Sequence, residues 1–302
     1  MIKKINFLFL KFSFLLFLFL CLFSEPLKAK EKILKIGAIP DQNQELLDRR
    51  FNLLSEYLSQ ELNVEFKYVP VVNYVAAVTS FRTKDLDLVW FGGLSGVQAR
   101  LQTPNSIVLA QRDIDKEFKS VFIINNKVLR KRTNNINDLK FLTKYRFTFG
   151  SENSTSGRLM PQYFLEIAGV KLTDFKGQTV GFSGSHDATI ALVNSGAYDA
   201  GVLNKQVWDR NIEKNTKRTK NATVFFITPP YVDYHWLAQG DLDKRFKKGF
   251  TKELKEAILN LNPKYKNQKL ILEMFNAEKF IAANSEQFKR IEFIARKLKK
   301  IR

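Results

Sequence analysis

Residues 150–164 read GSENSTSGRLMPQYF. A strand-like run, RFTFG, breaks into small polar residues, and an apolar, helix-like pattern follows. Ser154, Thr155 and Ser156 therefore fall between the carboxyl end of a strand and a helix start, where backbone N–H groups lack partners and the helix dipole is positive. A single Ser or Thr suffices for an ordinary N-cap. Three adjacent hydroxyls, with Gly150 and Gly157 allowing close backbone approach, exceed that need and favour an anion site. Pro161 complicates the helix, because deep inside one it would cost about 3 kcal/mol. Either the helix proper starts nearer Arg158 or its first turn is kinked.

Other chemistries fit this region less well. A Walker-type phosphate loop needs four residues between its glycines and a Lys after the second; here six separate Gly150 from Gly157, and Arg158 follows. A serine hydrolase would place G-x-S-x-G at a strand-to-helix turn. GFSGS from Gly181 lacks the final Gly, although Ser183, His186 and several Asp residues keep a triad formally open. The histidines His186 and His235 have no partners at ligand spacing, so no metal is expected, and no cofactor either. In SGSHDA, Ser185 can cap a helix that His186 begins. Its dipole disfavours the charged imidazole, so His186 would act as a neutral donor, unless it is simply solvated. Tyr74 begins the helix after VEFKYVP, and Trp90 and Phe91 of WFGGLSG end a strand before two glycines and Ser95. These four fit a cleft wall, although aromatics at strand ends are also common in cores.

The elements that must position these residues follow a repeating order. LKIGAIP reads as a strand, Leu46 to Leu62 as a helix and VEFKYVP as a strand; NYVAAVTSF, LDLVWFGG, LSGVQARLQ and SIVLAQ continue the alternation. The pattern restarts after KSVFIINN with RFTFGS, MPQYFLEIAGV, TVGFSG, DATIALVNSG, DAGVLN and KQVWDRNI. Such alternation argues an α/β fold with mostly parallel sheets, arranged as two lobes. The last third reads as helices packed onto a sheet. AAVTSFRTKDLDLVWFGG from Ala76 and ATIALVNSGAYDAGVLNK from Ala188 share a helix, a polar turn, an Asp and a buried strand, either as a repeat or as generic βαβ grammar. Asp87 and Asp199 are counterparts. Both begin strands, roughly 17 Å from the carboxyl end at about 3.3 Å per residue in the case of Asp199, whereas ligands bind beyond the carboxyl ends. They are expected to be turn or cap residues.

The 302 residues, 45% of them hydrophobic, can bury a substantial core. Lys3, Lys4 and Lys11 precede an apolar run from Phe12 to Phe23, and Leu27-Lys28-Ala29 offers a cleavage site. Residues 1–29 read as a secretory signal peptide, since the run is shorter than the roughly 20 residues of a membrane helix. Leu20 before Cys21 argues against lipid attachment. The only cysteine thus lies in the signal. Removing these residues, which hold four Lys and one Glu, lowers the formal charge of +19 by three. The positive charges are scattered apart from KLKKIR, and no zinc-ligand set or RNA-binding aromatic motif appears, so no nucleic acid is expected. The excess instead sets up a field that concentrates small anions or draws the protein to an anionic surface.

FGSENSTSGRLMPQYFL, SGSHDATIALV and LDLVWFGGLSGVQARLQ together resemble the periplasmic phosphonate- and phosphite-binding proteins of ABC transporters, a branch that includes selenate binders. The likeness covers nearly all of the chain after the signal. It implies a two-lobed type II periplasmic binding protein, α/β in class, with a small oxyanion in the interlobe cleft, delivery to a membrane permease and no catalysis. The implied arrangement is signal 1–29, first lobe 30–125, second lobe 126–225, and return to the first lobe with C-terminal helices over 226–302; the chain is expected to be monomeric. By motif, the oxyanion contacts fall on Tyr74, Ser154, Thr155, Ser156, His186 and Asp233, the last in PPYVDYHW. Members that bind aminoalkylphosphonates add a carboxylate after the strand equivalent to DAGVLN. Here Asn204, Lys205 and Gln206 stand there, with Asn204 and Gln206 as further cleft candidates, so an ammonium group would lack its partner. The resemblance favours phosphite or a small phosphonate, with selenate, phosphate or another oxyanion as the alternative.

Overall fold

The computed structural model describes residues 32–214 and 216–301. The expected signal segment and Cys21 lie outside the described residues. From the amino end, β1 (Leu34–Ala38), α1 (Gln44–Leu62), β2 (Phe66–Tyr68), α2 (Tyr74–Arg82), β3 (Leu88–Phe91), α3 (Gly93–Gln102) and β4 (Ile107–Arg112) alternate as expected. Every residue of β3 is buried, as befits a strand covered on both faces. On α1, Leu47, Phe51, Leu54 and Leu58 recur at helical spacing and are buried. The chain then enters a second sheet through β5 (Ser120–Asn125), β6 (Phe147–Phe149), α4 (Met160–Ile167), β7 (Gly181–Phe182), α5 (His186–Ser195), β8 (Ala200–Asn204), α6 (Lys205–Lys214), α7 (Thr216–Thr219) and β9 (Ala222–Ile227). It returns through β10 (His235–Ala238), α8 (Leu242–Arg245), α9 (Phe250–Leu259), α10 (Lys266–Phe275), β11 (Phe280–Ala282) and α11 (Lys289–Lys297).

The first sheet has the order β11-β4-β10-β3-β1-β2 and the second β7-β6-β8-β5-β9. Neither is mostly parallel. β10 runs antiparallel between β3 and β4, β11 antiparallel beside β4, and β5 antiparallel between β8 and β9. The cause is the double crossing: a chain that leaves one sheet and re-enters it does so against the direction of its βαβ strands. For the same reason β5 belongs to the second sheet, although a boundary at 125 would assign it to the first lobe; the crossings lie at residues 113–119 and 228–234. The return segment is also not purely helical, since β10 and β11 complete the first sheet. The two crossings pair with each other, with Phe118 and Tyr231 exchanging backbone hydrogen bonds (2.8 and 2.9 Å) and Asp233 N donating to Asp115 O (3.1 Å). Beside them, Arg112 forks onto Asp115 (Nη2 to Oδ1 2.6 Å) in a buried ion pair.

The repeat suggested by Ala76 and Ala188 extends to individual hydrogen bonds. Asp87 N donates to Lys35 O (2.8 Å), and the Asp87 carboxylate accepts from Lys35 N (2.8 Å). Asp199 does the same with Arg146 (2.9 Å). Each carboxylate also meets an arginine, Arg245 and Arg146 respectively. On the antiparallel side, Gln239 N and Asn125 N donate to the Asp87 and Asp199 carbonyls, while their side-chain amides donate to Phe81 O and Val193 O at equivalent points of α2 and α5. Both aspartates thus tie strand starts together, remote from the carboxyl ends. Asn125→Ala and Gln239→Ala should each lower the unfolding free energy by about 1 kcal/mol or more, because a buried hydrogen bond and its packing are lost. Urea denaturation measures this, and an unchanged midpoint for either would show that its amide adds nothing.

Candidate functional site

β6 ends at Phe149, and the chain turns into a π-helical turn, Thr155–Leu159, ahead of α4. Pro161, in the first turn of α4, is the reason. It has no N–H, so the carbonyls of Gly157 and Ser156 lose their helical donor. Gly150 N donates to Gly157 O (2.9 Å) and the Ser120 hydroxyl donates to Ser156 O (2.7 Å) instead. A Cβ on Gly150 would stand 3.3 Å from Gly157 Cα, so this exchange requires bare backbone. Ser154 caps the turn by accepting from Gly157 N (2.9 Å). The Ser156 hydroxyl stands near Tyr231, whose own hydroxyl engages Ser120 (2.6 Å), and meets no partner within hydrogen-bond distance among the described residues.

Thr155 reaches across to α3. The N-cap of that helix is Gly92, which has no side chain to satisfy the first N–H groups. Two other segments supply the cap: Gly93 N donates to Asp233 Oδ1 (2.8 Å), and Leu94 N donates to Thr155 Oγ1 (2.9 Å). Asp233 comes from the second crossing and Thr155 from the second lobe, so one helix start joins both lobes to the hinge. Burial raises the Asp233 carboxyl from 3.8 to about 7, even though the Gly93 N–H and the Thr155 hydroxyl pull it down. Its second oxygen, Oδ2, has no partner among the described residues.

His186 and Tyr74 occupy equivalent first positions of α5 and α2, behind the N-caps Ser185 and Asn73. His186 N donates to Asp41 O (3.0 Å), its Nδ1 faces Asn204 N (3.4 Å), and its Nε2 faces the Tyr234 hydroxyl (3.4 Å). Burial lowers its pKa and keeps it neutral. The Tyr74 hydroxyl stands by Ser154, with Asp41 and Asp233 nearby. Tyr74, Ser154, Thr155, Ser156, His186 and Asp233 are therefore brought together, each no more than 2% exposed. The lobes are closed over them. Asn43 N, bonded to the Asp187 carboxylate (2.9 Å), adds a further tie between the lobes.

Other candidates are placed differently. Trp90 is a second layer, stacked on Tyr234 (centroids 5.6 Å apart). Phe91 packs edge-on against Phe81 in the core, away from the cluster. Ser95 bonds the carbonyl of Gly92 in its own helix (3.2 Å). Asn204 caps α6 through Gln206 N (2.8 Å), whereas the Gln206 side chain lines a surface groove with Asp113 and Lys116 beside the hinge. The hydrolase arrangement is not assembled: the Ser183 hydroxyl engages Ser185 O (2.9 Å) and Thr189 (2.7 Å), not His186. His235 is a core residue, packed on Phe288 and held neutral by burial, with a pKa of about 3. Sequence reasoning missed Asp41, Ser120, Tyr231 and Tyr234. The two tyrosines flank Asp233 in PPYVDYHW, a density of polar aromatics that could have drawn notice; Asp41 gave no signal.

Two α/β lobes, joined by a paired hinge and closed on a buried set of donors, define a two-lobed solute-binding protein. Residues 36–288 match the family described as ABC transporter, phosphonate, periplasmic substrate-binding protein, and the chain belongs to that family. Over 280 residues it is 69% identical to the probable ABC transporter phosphite binding protein PhnD1 of Prochlorococcus marinus strain MIT 9301, covering 93% of this chain and 94% of the relative. The structure of PhnD1 from the same organism in complex with methylphosphonate superposes with a TM-score of 0.89 at 69% identity, covering 90% of this chain and all of that one. A binding protein component of an ABC phosphonate transporter from Pseudomonas aeruginosa shares the fold (TM-score 0.76, 18% identity, 88% and 86% covered). The chain is thus a transporter's substrate-binding component and not an enzyme.

The shared cap makes Gly92 a test of closure. A Cβ there would lie 3.1 Å from Thr155 Oγ1 and 3.2 Å from Asp233 Oδ1. Gly92→Ala should push the lobes apart, read as a larger radius of gyration by small-angle scattering. An unchanged curve would mean that the neighbours absorb the methyl.

Proposed function

We propose that this protein captures phosphite or a small phosphonate in the periplasm and passes it to the permease of an ABC importer, acting as a monomer exported through residues 1–29. The observation that carries the reading is Asp233, a buried carboxyl beside Thr155 whose Oδ2 has no partner among the described residues. A carboxylate repels an anion unless a proton lies between them. Phosphite and phosphonates can carry that proton near neutral pH, whereas sulfate and selenate cannot. The relatives named for phosphite and solved with methylphosphonate support the same choice. Tyr74, Ser154, Thr155, Ser156 and His186 supply the remaining donors, and the helix starts behind Asn73, Ser154 and Ser185 add a positive field.

A thermal-shift screen of phosphite, methylphosphonate, phosphate, sulfate and selenate tests the assignment. It should use protein recovered from the periplasm, whose intact mass reads whether residues 1–29 have been removed. A ligand at a hundred times its Kd adds about 2.7 kcal/mol of stability. Phosphite or methylphosphonate should give the largest shift, and a larger shift with sulfate or selenate would overturn the reading.

Asp233→Asn removes the acceptor of the shared proton. It should move preference toward sulfate and selenate by about tenfold or more, read by calorimetry. The same variant carries a pH signature in the ligand-free protein. Because the folded pKa is raised from 3.8 to about 7, the stability linked to Asp233 is fully present below about pH 4 and is lost as pH rises through about 7. The melting temperature of Asp233→Asn should therefore gain on that of the wild type as pH rises across this window. A constant difference would show that the carboxyl is ionised throughout.

A further inference from the structure

We propose that Asp41 is a positioning residue: acting through the Tyr234 hydroxyl, it holds His186 in the tautomer that carries its proton on Nε2. The inference rests on the reading of His186 as a neutral donor to the bound oxyanion. Asp41 follows β1 in the first lobe, Tyr234 lies at the end of the second crossing, and His186 begins α5 in the second lobe. All three are buried.

The direction of each hydrogen bond fixes the next. Asn204 N–H approaches His186 Nδ1 at 3.4 Å, and a backbone N–H can only donate, so Nδ1 must accept. A neutral imidazole then carries its one proton on Nε2, which faces the Tyr234 oxygen at 3.4 Å. That oxygen can accept only if its own proton points elsewhere, and it points to Asp41 Oδ2 at 2.7 Å. Burial keeps the phenol protonated, with its pKa well above the ordinary value. The 3.4 Å separation leaves the Nε2 proton available to a second acceptor in the cleft. Without the Asp41 carboxylate, the Tyr234 hydroxyl would be able to rotate and donate to Nε2, favouring the opposite tautomer, in which the proton sits on Nδ1 and clashes with Asn204 N–H. Asp41 holds His186 twice, because its main-chain oxygen also accepts His186 N–H at 3.0 Å. Both connections cross between the lobes, so the tautomer is set by the same contacts that close the cleft.

The tautomer of His186 can be read directly from long-range ¹H–¹⁵N spectra of histidine-labelled protein, with and without phosphite. The wild type should show the Nε2–H pattern. Asp41→Asn should shift His186 toward the Nδ1–H pattern or a mixture and weaken phosphite binding by about tenfold or more, whereas Tyr234→Phe, which has no hydroxyl to donate to Nε2 while Asn204 N–H still donates to Nδ1, should keep the Nε2–H pattern. The double variant should regain the Nε2–H pattern, because Asp41 acts on the tautomer only through the Tyr234 hydroxyl. Tyr234→Phe keeps the ring stacked on Trp90, so recovery in the double variant separates the relay from a general loss of folding in Asp41→Asn. An Nδ1–H pattern in the wild type or in Tyr234→Phe, an unaltered Nε2–H pattern in Asp41→Asn, or a double variant that keeps the pattern of Asp41→Asn would each overturn the proposal. Failure of the wild type to bind phosphite would sink the ligand assignment alone, because the spectra of the ligand-free proteins still decide the relay.

Discussion

The arrangement of this protein depends on one buried carboxylate at the hinge. Asp233 accepts the Gly93 N–H at the start of a first-lobe helix and lies beside Thr155 of the second lobe, which itself accepts the Leu94 N–H. An exposed helix start would be satisfied by water. A buried one needs a cap, and Gly92 cannot supply it. Because the missing cap comes from two other segments, α3 is fully satisfied only when the lobes approach. The ion pair between Arg112, at the end of β4, and Asp115, on the first crossing, holds the carbonyl that accepts the Asp233 N–H, so the carboxylate has a firm mount. Breaking such a pair typically costs 3–5 kcal/mol, since it leaves a buried charge uncompensated.

The repeated βαβ unit explains why the cleft is lined evenly from both sides. The offset that relates Asp87 to Asp199 also relates Tyr74 to His186 and Asn73 to Ser185, so equivalent helices present their first turns to the cleft from opposite lobes. Each start brings free N–H groups and positive potential. The difference between the lobes lies in the side chain at that first position: a phenol in one and an imidazole in the other. A repeated scaffold thus supplies a general attraction for anions, and unrepeated side chains give it chemical discrimination.

Much of this was legible in the sequence. The order of strands and helices through KQVWDRNI follows from periodicity, because each element has an apolar face long enough to show its period. The STSG stretch was readable as a helix start over-supplied with hydroxyls. What could not be read has a common cause. β10 follows the second crossing and no helix, and β11 is only three residues long; both are strands of return, recognisable only once their sheet exists. Asp41 in IPDQNQ looks like any polar residue before a helix, and Tyr234 like a core aromatic. Their joint position beside His186 is created by the crossing of the chain between lobes, so no local pattern encodes it.

The closed cleft holds several polar atoms that meet no partner among the described residues: Asp233 Oδ2, Asp41 Oδ1 and the Ser156 hydroxyl. Each such atom costs about 1–3 kcal/mol when shut away from water. In the open arrangement water can reach them, so closure without a ligand bears this cost while gaining only the bonds between lobes, such as Leu94 N to Thr155 and His186 N to Asp41 O. A ligand that offers acceptors to the hydroxyls and a proton to the carboxyl removes the cost selectively in the closed form, and only such a differential interaction can shift the equilibrium. On the proposed reading, an oxyanion of the right size without a proton would satisfy the serines and leave Asp233 to take up its proton from solvent. Selectivity and closure, on that reading, share one origin in the hinge carboxyl.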